Sequence, residues 1–103
     1  MKACELRRDG DKVFVMLEGD LTAMVAPELK SAVQQALGDG ALEVIFDFGK
    51  TTILDSTGIG FLIATYNSVK KKNGSVRVVS VSEDILGLLR SMRLEERLCV
   101  SKR

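Results

Sequence analysis

The chain has no histidine and no tryptophan, and it contains only one proline and two cysteines. The lack of histidine excludes Ser–His and Cys–His nucleophile pairs, imidazole acid–base catalysis and most zinc sites. Cys4 and Cys99 are far apart and in no metal-type spacing. We therefore expect two reduced thiols, as is usual in a cytoplasmic protein.

An excess of one charge is also lacking, because 15 Lys and Arg face 14 Asp and Glu. This balance gives no support for direct nucleic-acid binding. No apolar stretch approaches the ~20 residues that cross a bilayer, and residues 1–5 contain no hydrophobic signal core. We expect no membrane insertion and a cytoplasmic location. The 103 residues, 46% apolar and 28% charged, predict one globular domain spanning 1–103.

The first half of the pattern predicts a hairpin and a helix. Residues 3–8 and 12–18 are predicted to form a hairpin about the turn-forming triplet at residues 9–11. From Val25 the apolar period becomes helical, and Gly38 is suited to the position just past the helix end. The buried stripe of this helix is predicted to comprise Val25, Ala26, Leu29, Ala32, Val33, Ala36 and Leu37.

A third strand is predicted at residues 42–48 and a second helix from about residue 55. Lysines at residues 70–72 complement the negative end of that helix, and Asn73-Gly74 is suited to its cap. The faces expected in the core comprise Leu42, Val44, Phe46 and Phe48 of the strand, and Ile59, Leu62, Ile63, Tyr66 and Val69 of the helix.

The last part adds a strand at residues 76–81, a helix capped by Ser82 and a short edge strand at residues 98–100. The order ββαβαβα(β) predicts the α/β class, with a mixed sheet of four to five strands, one antiparallel hairpin strand and three main helices. The stripe of the last helix is predicted to comprise Ile85, Leu86, Leu88, Leu89 and Met92.

The stretch Asp55-Ser56-Thr57-Gly58-Ile59-Gly60 lies where the strand pattern ends and the helical pattern begins. Either hydroxyl can accept a hydrogen bond from a backbone N–H of the first turn, and the glycines leave the backbone open to another molecule. The partial positive charge of a helix N-terminus suits a phosphate on the first hydroxyl. The alternative is a helix cap followed by a flexible turn.

Several familiar chemistries do not fit this stretch. Aspartic proteases use Asp-Thr-Gly or Asp-Ser-Gly, whereas Thr57 here separates Ser56 from Gly58. A Gly-x-Gly-x-x-Gly phosphate loop would need glycine where Ile63 stands. A serine hydrolase would need Gly-x-Ser-x-Gly and a histidine, and neither occurs. We therefore expect no enzymatic activity.

Two further features have open or weak interpretations. Asp47 and Asp55 flank the strand-to-helix connection, but two carboxylates alone are a weak metal signal, and Asp47 can instead bind backbone near the strand end. We expect no metal and no cofactor. Phe61 lies off the apolar stripe and could either face a partner or pack under a loop.

The order of elements, the strand end Gly19-Asp20-Leu21-Thr22 and the stretch at residues 55–60 resemble the STAS domain. More narrowly, they resemble the small free-standing STAS proteins that act as bacterial anti-sigma-factor antagonists. The resemblance covers nearly the whole chain, including Asn73-Gly74 before the fourth strand and Leu88-Leu89 in the last helix.

The resemblance implies a partner-switching protein without catalysis. The unmodified antagonist binds an anti-sigma factor that is also a GHKL-type serine kinase, and so frees the sigma factor. Phosphorylation of the motif serine, Ser56 here, releases the partner, and a PP2C-type phosphatase resets the switch; Thr57 is a less favoured second site. The implied partner-binding residues are Asp20, Thr22, Asp55, Ser56, Thr57, Gly58, Ile59, Gly60 and Phe61.

Two departures and one alternative accompany this resemblance. Many antagonists have aspartate where Thr22 stands, so a carboxylate is missing that Asp20 could partly replace. The Gly-Leu pair common after the third helix is Arg93-Leu94 here, which changes the cap. The alternative function is a STAS subunit or partner of a membrane transport system, such as a lipid ABC or anion transporter, without a phosphorylation switch.

Overall fold

The computed structural model describes residues 2–103, which form five strands and three helices. The order of elements confirms the predicted ββαβαβα succession with a further strand at the end. The strands are β1 (Cys4–Asp9), β2 (Lys12–Leu17), β3 (Glu43–Asp47), β4 (Ser75–Val81) and β5 (Val100–Lys102). The helices are α1 (Ala26–Gly38), α2 (Ser56–Lys70) and α3 (Glu83–Ser91).

The strands form one mixed sheet in the order β1-β2-β3-β4-β5. β1 pairs antiparallel with β2 across a turn in which Gly10 has a φ of +62°, and the other neighbouring strands are parallel. Each parallel pair needs a crossover, which the three helices supply. The predicted α/β class, with one antiparallel hairpin strand on a mixed sheet, is confirmed.

The hydrophobic core lies on one face of this sheet. Right-handed crossovers that all step in one direction place α1, α2 and α3 on the same face. Buried residues of all three helices share one cluster with alternate strand residues, namely Val13, Val15, Val44, Phe46, Val76 and Val78. The resulting two-layer domain measures 33 × 31 × 22 Å. The start of α2 therefore lies at the same edge of the sheet as the carboxyl ends of β2 and β3.

Three details of the predicted helices and strands are wrong. Leu42 is 36% exposed, because it precedes β3 and lies outside the layer that the helices cover. Met92 is 44% exposed, because α3 ends at Ser91 and the chain turns so that Leu94 takes the buried position. Gly38 is the last residue of α1, and the left-handed turn residue is Gly40, with a φ of +100°.

The last strand begins two positions later than predicted, at Val100. Leu98 is fully buried, and its carbonyl accepts a hydrogen bond from the backbone N–H of Val78. Arg93, at the predicted departure from the family pattern, has a φ of +58°, so the turn after α3 uses a left-handed residue that is not glycine. The change from glycine to arginine therefore affects this turn.

The predicted Asn73-Gly74 cap of α2 is confirmed. Asn73 has a φ of +58°, and the N–H of Asn73 donates to Lys70 while that of Gly74 donates to Val69 at 2.7 Å. These two bonds form a Schellman motif. Gly74 also passes close to the backbone before β3, because a Cβ built on it would lie 2.0 Å from the carbonyl oxygen of Leu42.

We predict that Gly74→Ala lowers the free energy of unfolding by about 1–3 kcal/mol, because the backbone of residue 42 must shift to admit the methyl group. The matched control is Gly38→Ala, where a Cβ meets nothing within 4 Å. That control should be neutral or stabilising by up to about 1 kcal/mol, since alanine favours helix. Urea unfolding measures both changes, and equal stability of the two variants would contradict the close approach.

Candidate functional site

Two loops, after β2 and after β3, are bound together at the edge of the sheet. Leu21 and Leu54 form an isolated parallel bridge. The N–H of Leu21 donates to the carbonyl of Ile53 at 3.0 Å, and the N–H of Asp55 donates to the carbonyl of Leu21 at 3.2 Å. Leu21 and Leu54 are both buried, so this bridge also connects the loops to the core.

Asp20 strengthens this connection between the loops. One oxygen of its carboxylate accepts hydrogen bonds from the N–H and hydroxyl of Thr52 and from the N–H of Ile53, at 2.9, 3.0 and 2.9 Å. Because these bonds favour the ionised form, they lower the pKa of Asp20. This oxygen of Asp20 therefore accepts hydrogen bonds from the protein's own loop. Thr22 is half-buried, and its carbonyl accepts from the N–H groups of Val25 and Ala26 where α1 begins.

Asp55 is the N-cap of α2. One carboxylate oxygen accepts from the N–H of Gly58 at 2.8 Å and the other from the N–H of Ala23 at 3.0 Å. These bonds, first that from Gly58 and then that from Ala23, lower the pKa of Asp55. The prediction that the hydroxyl of Ser56 or Thr57 caps the helix is wrong, because the carboxylate of Asp55 accepts a hydrogen bond from the N–H of Gly58 in the first turn. The side chains of Ser56 and Thr57 stay exposed.

Residues 58–61 divide between the core and the surface. A Cβ on Gly58 would lie 2.6 Å from the carbonyl oxygen of Leu21, so this glycine is needed for packing and is buried. Ile59 and Phe61 are also buried, and the ring of Phe61 packs edge-on against Phe46 at a centroid distance of 5.6 Å. The open question about Phe61 is thus resolved in favour of packing.

The loop that leads to Ser56 has further anchors that the sequence did not reveal. Thr51 is fully buried, and its hydroxyl donates to the carbonyl of Gly19 at 2.7 Å. The guanidinium of Arg103 donates to the carbonyls of Phe48, Gly49 and Thr51 at 3.2, 2.8 and 3.3 Å. The carboxylate of Asp47 accepts from the N–H of Gly49 at 2.8 Å, which is the backbone role predicted as the alternative to metal binding.

Exposed apolar side chains flank the start of α2. Met24 is 92% exposed and Ile53 is 56% exposed, and they lie on the two loops that Asp20 and Asp55 bind together. An apolar groove of about 460 Å³ runs between α1 and α2 and ends at Ala23 and Thr57. Apolar periodicity could not reveal Met24 and Ile53, because both lie outside the predicted helices and strands.

The structure therefore brings most of the predicted partner-binding residues to one edge of the sheet. Asp20 and Asp55 hold the two loops together, and the carbonyl of Thr22 accepts from backbone N–H groups where α1 begins. The exposed residues among the nine are Ser56, Thr57 and Gly60. Gly58, Ile59 and Phe61 lie beneath them and support the helix start. Ser56 is the first residue of α2, so its hydroxyl stands at the helix N-terminus.

We predict that Asp55→Asn destabilises the fold at pH 7, because an amide has one acceptor oxygen where two N–H donors need one each. The pKa of Asp55 is lower in the folded protein than its unfolded value of about 3.9, so the ionised carboxylate stabilises the fold above that pH. This stabilisation is lost as the pH falls through the folded-state pKa. The urea midpoint of the variant should therefore fall less between pH 7 and pH 3 than that of the wild type.

The matched control for this prediction is Asp39→Asn, at the C-cap of α1. Its midpoint at pH 7 should not fall, because the substitution removes a negative charge from the C-terminal end of a helix. If the Asp55 and Asp39 variants behaved alike, the carboxylate of Asp55 would not be the connection between the loops.

Comparison with known proteins identifies the family. The family model described as "STAS domain" matches residues 3–102. The anti-sigma-B factor antagonist of Bacillus subtilis is 24% identical over 97 residues, which cover 94% of this chain and 88% of that protein. Within the described residues 2–103, no helix is both long and apolar enough to cross a membrane.

Solved structures show the same fold. SpoIIAA is similar in its unphosphorylated form, with a TM-score of 0.75, 19% identity and coverage of 85% of this chain and 82% of that one. The phosphorylated form from Bacillus has a TM-score of 0.80 and 17% identity, and the match covers 98% of this chain and 91% of that one. A sulfate transporter family protein from Wolinella succinogenes has a TM-score of 0.78 and 19% identity, and the match covers 94% of this chain and 81% of that one. With the family model matching nearly every residue, the chain belongs to the STAS domain family.

Proposed function

We propose that the protein is an anti-sigma-factor antagonist whose binding is switched off by phosphorylation of Ser56. The observation that carries the proposal is the position of Ser56, an exposed hydroxyl on the first residue of α2. It follows directly on a loop that hydrogen bonds hold in place against the loop after β2. The similarity to a Bacillus subtilis protein named as an anti-sigma-B factor antagonist supports the same function.

The local electrostatics fit a switch that acts through the surface. A phosphate carries a charge of about −1.5 to −2 at neutral pH, and the first-turn N–H groups of a helix can partly compensate it. Gly58 already donates to Asp55, which stays ionised beside Ser56. The added charge would therefore stand next to an ionised carboxylate, and it would repel carboxylates of a partner and resist desolvation. The likeness to SpoIIAA in both forms supports a switch without refolding.

The proposed partners follow from the family. A GHKL-type anti-sigma factor that is also a serine kinase would bind the unmodified surface and phosphorylate Ser56. A PP2C-type phosphatase would remove the phosphate, and Thr57, also exposed on the first turn, is the less favoured acceptor. The protein itself would act by binding alone and without catalysis, in the cytoplasm.

A second candidate function is a subunit or partner of a membrane transport system. The fold similarity to the sulfate transporter family protein from Wolinella succinogenes favours it. In this case Ser56 would remain unmodified, and the protein would copurify with membrane transport components.

We predict that Ser56→Ala binds the purified serine-kinase anti-sigma factor of the same genome as tightly as the wild type but accepts no phosphate. Ser56→Asp should bind at least about tenfold more weakly, because it places a carboxylate at the start of α2. Calorimetry measures affinity, and intact mass after incubation with kinase and ATP measures modification.

The matched controls are Ser31→Ala and Ser31→Asp, at an exposed serine of α1. Both should keep wild-type affinity and accept one phosphate. Equal affinity of Ser56→Asp and Ser31→Asp would contradict the switch. A protein that stays unmodified with every such kinase, and that copurifies with membrane ATPase subunits, would favour the transport function.

A further inference from the structure

The two glycines of the motif have different physical roles. At Gly58 a side chain is impossible without movement, since a Cβ would lie within 2.9 Å of three atoms of Leu21 and Leu54. At Gly60 a Cβ would meet nothing within 4 Å, and the backbone needs no positive φ. Because glycine stabilises a helix interior less than alanine does, the fold alone would favour alanine at position 60.

The surroundings of Gly60 suggest why glycine stands there. Gly60 lines the groove of about 460 Å³ between α1 and α2. The nearby lining is made of small side chains, and the floor is closed by Phe61 and Thr65. The hydroxyl of Thr65 donates to the carbonyl of Phe61 at 2.9 Å. The floor of the groove is therefore apolar, and its one buried hydroxyl is already bonded, so the floor offers an apolar surface to whatever occupies the groove.

The groove is continuous with the proposed switch. Its end is formed by Ala23, whose N–H binds Asp55, and by Thr57, which follows Ser56. Met24 and Ile53 stand exposed on the two loops at this end. A protein that binds over Ser56 and Thr57 therefore reaches the end of the groove that Thr57 lines.

We propose that the α1–α2 groove binds an apolar segment of the anti-sigma factor, with Gly60 keeping the groove open and Met24 and Ile53 extending the apolar contact. This inference rests on the proposed function. Lys30 is the one charged residue in the groove lining among residues 2–103, so the segment that fits carries a carboxylate beside its apolar face.

This arrangement also strengthens the effect of phosphorylation. An apolar segment in the groove excludes water from the start of α2, where the hydroxyl of Ser56 stands. A phosphate at that position would lose hydration while it stands beside the carboxylate of Asp55. The apolar contact thus supplies affinity to the unmodified protein and makes the modified form costly to bind.

The test compares Gly60→Ala with Gly87→Ala, using the purified serine-kinase anti-sigma factor as the probe. Gly87 is an exposed glycine of α3, and a Cβ on it likewise meets nothing within 4 Å. Both variants should unfold at the same or higher urea concentration than the wild type. Gly60→Ala should weaken binding about tenfold, because the methyl group fills space that the segment occupies, while Gly87→Ala should bind as the wild type does.

A second pair tests the exposed apolar residues. Met24→Ala should weaken binding, whereas Met92→Ala, at an exposed methionine after α3, should not. In the Ser56→Asp background, Met24→Ala should have a smaller effect than in the wild type, because the segment is already displaced. Such non-additivity is expected only when the two positions share one interface.

The outcomes separate this inference from the proposed function. If the wild type binds, Ser56→Asp does not, and both glycine variants bind normally, the switch stands and the groove inference is overturned. If Gly60→Ala alone is impaired, the inference is supported. If the wild type binds no anti-sigma factor of its genome, the proposed function fails and the assignment of this occupant fails with it.

Discussion

The carboxylate of Asp55 is the interaction on which the candidate site depends. Its two oxygens bind donors from different parts of the chain, Gly58 within α2 and Ala23 before α1. One side chain thus caps a helix and fixes a neighbouring loop against it. The bond can form because parallel strands end at the same edge of a sheet, which brings the segments after β2 and β3 together.

The hydrogen bonds at this edge fit the proposed control of binding by a single hydroxyl. The loop that leads to Ser56 is held by Asp20, by the buried Thr51 and by the guanidinium of Arg103. A phosphate at the start of α2 therefore cannot be relieved by a large movement of the loop. In the proposed switch the charge would act at a fixed position on the surface, so that the cost of modification would fall on the complex with a partner and leave the fold intact.

The motif combines requirements of folding with requirements of binding. Glycine is required at position 58 by the close contacts with Leu21 and Leu54, and Phe61 packs against Phe46 in the core. Ser56, Thr57 and Gly60 meet no such demand within the chain, since they are exposed at the helix start and along the groove. Residues that the fold does not require are the ones that a partner or a modifying enzyme can use.

The sequence by itself determined the fold class, the order of elements, the caps at Ser82 and at Asn73-Gly74, and the helix start at residues 55–60, because periodicity and capping are local properties. Tertiary structure decided which group caps α2, whether Gly58 and Phe61 are open or buried, and where Arg103 binds. Each of these depends on contacts between segments far apart in the chain. Local patterns carry no information about the distance between such segments, so only the folded arrangement could separate the residues that hold the site together from those that it exposes.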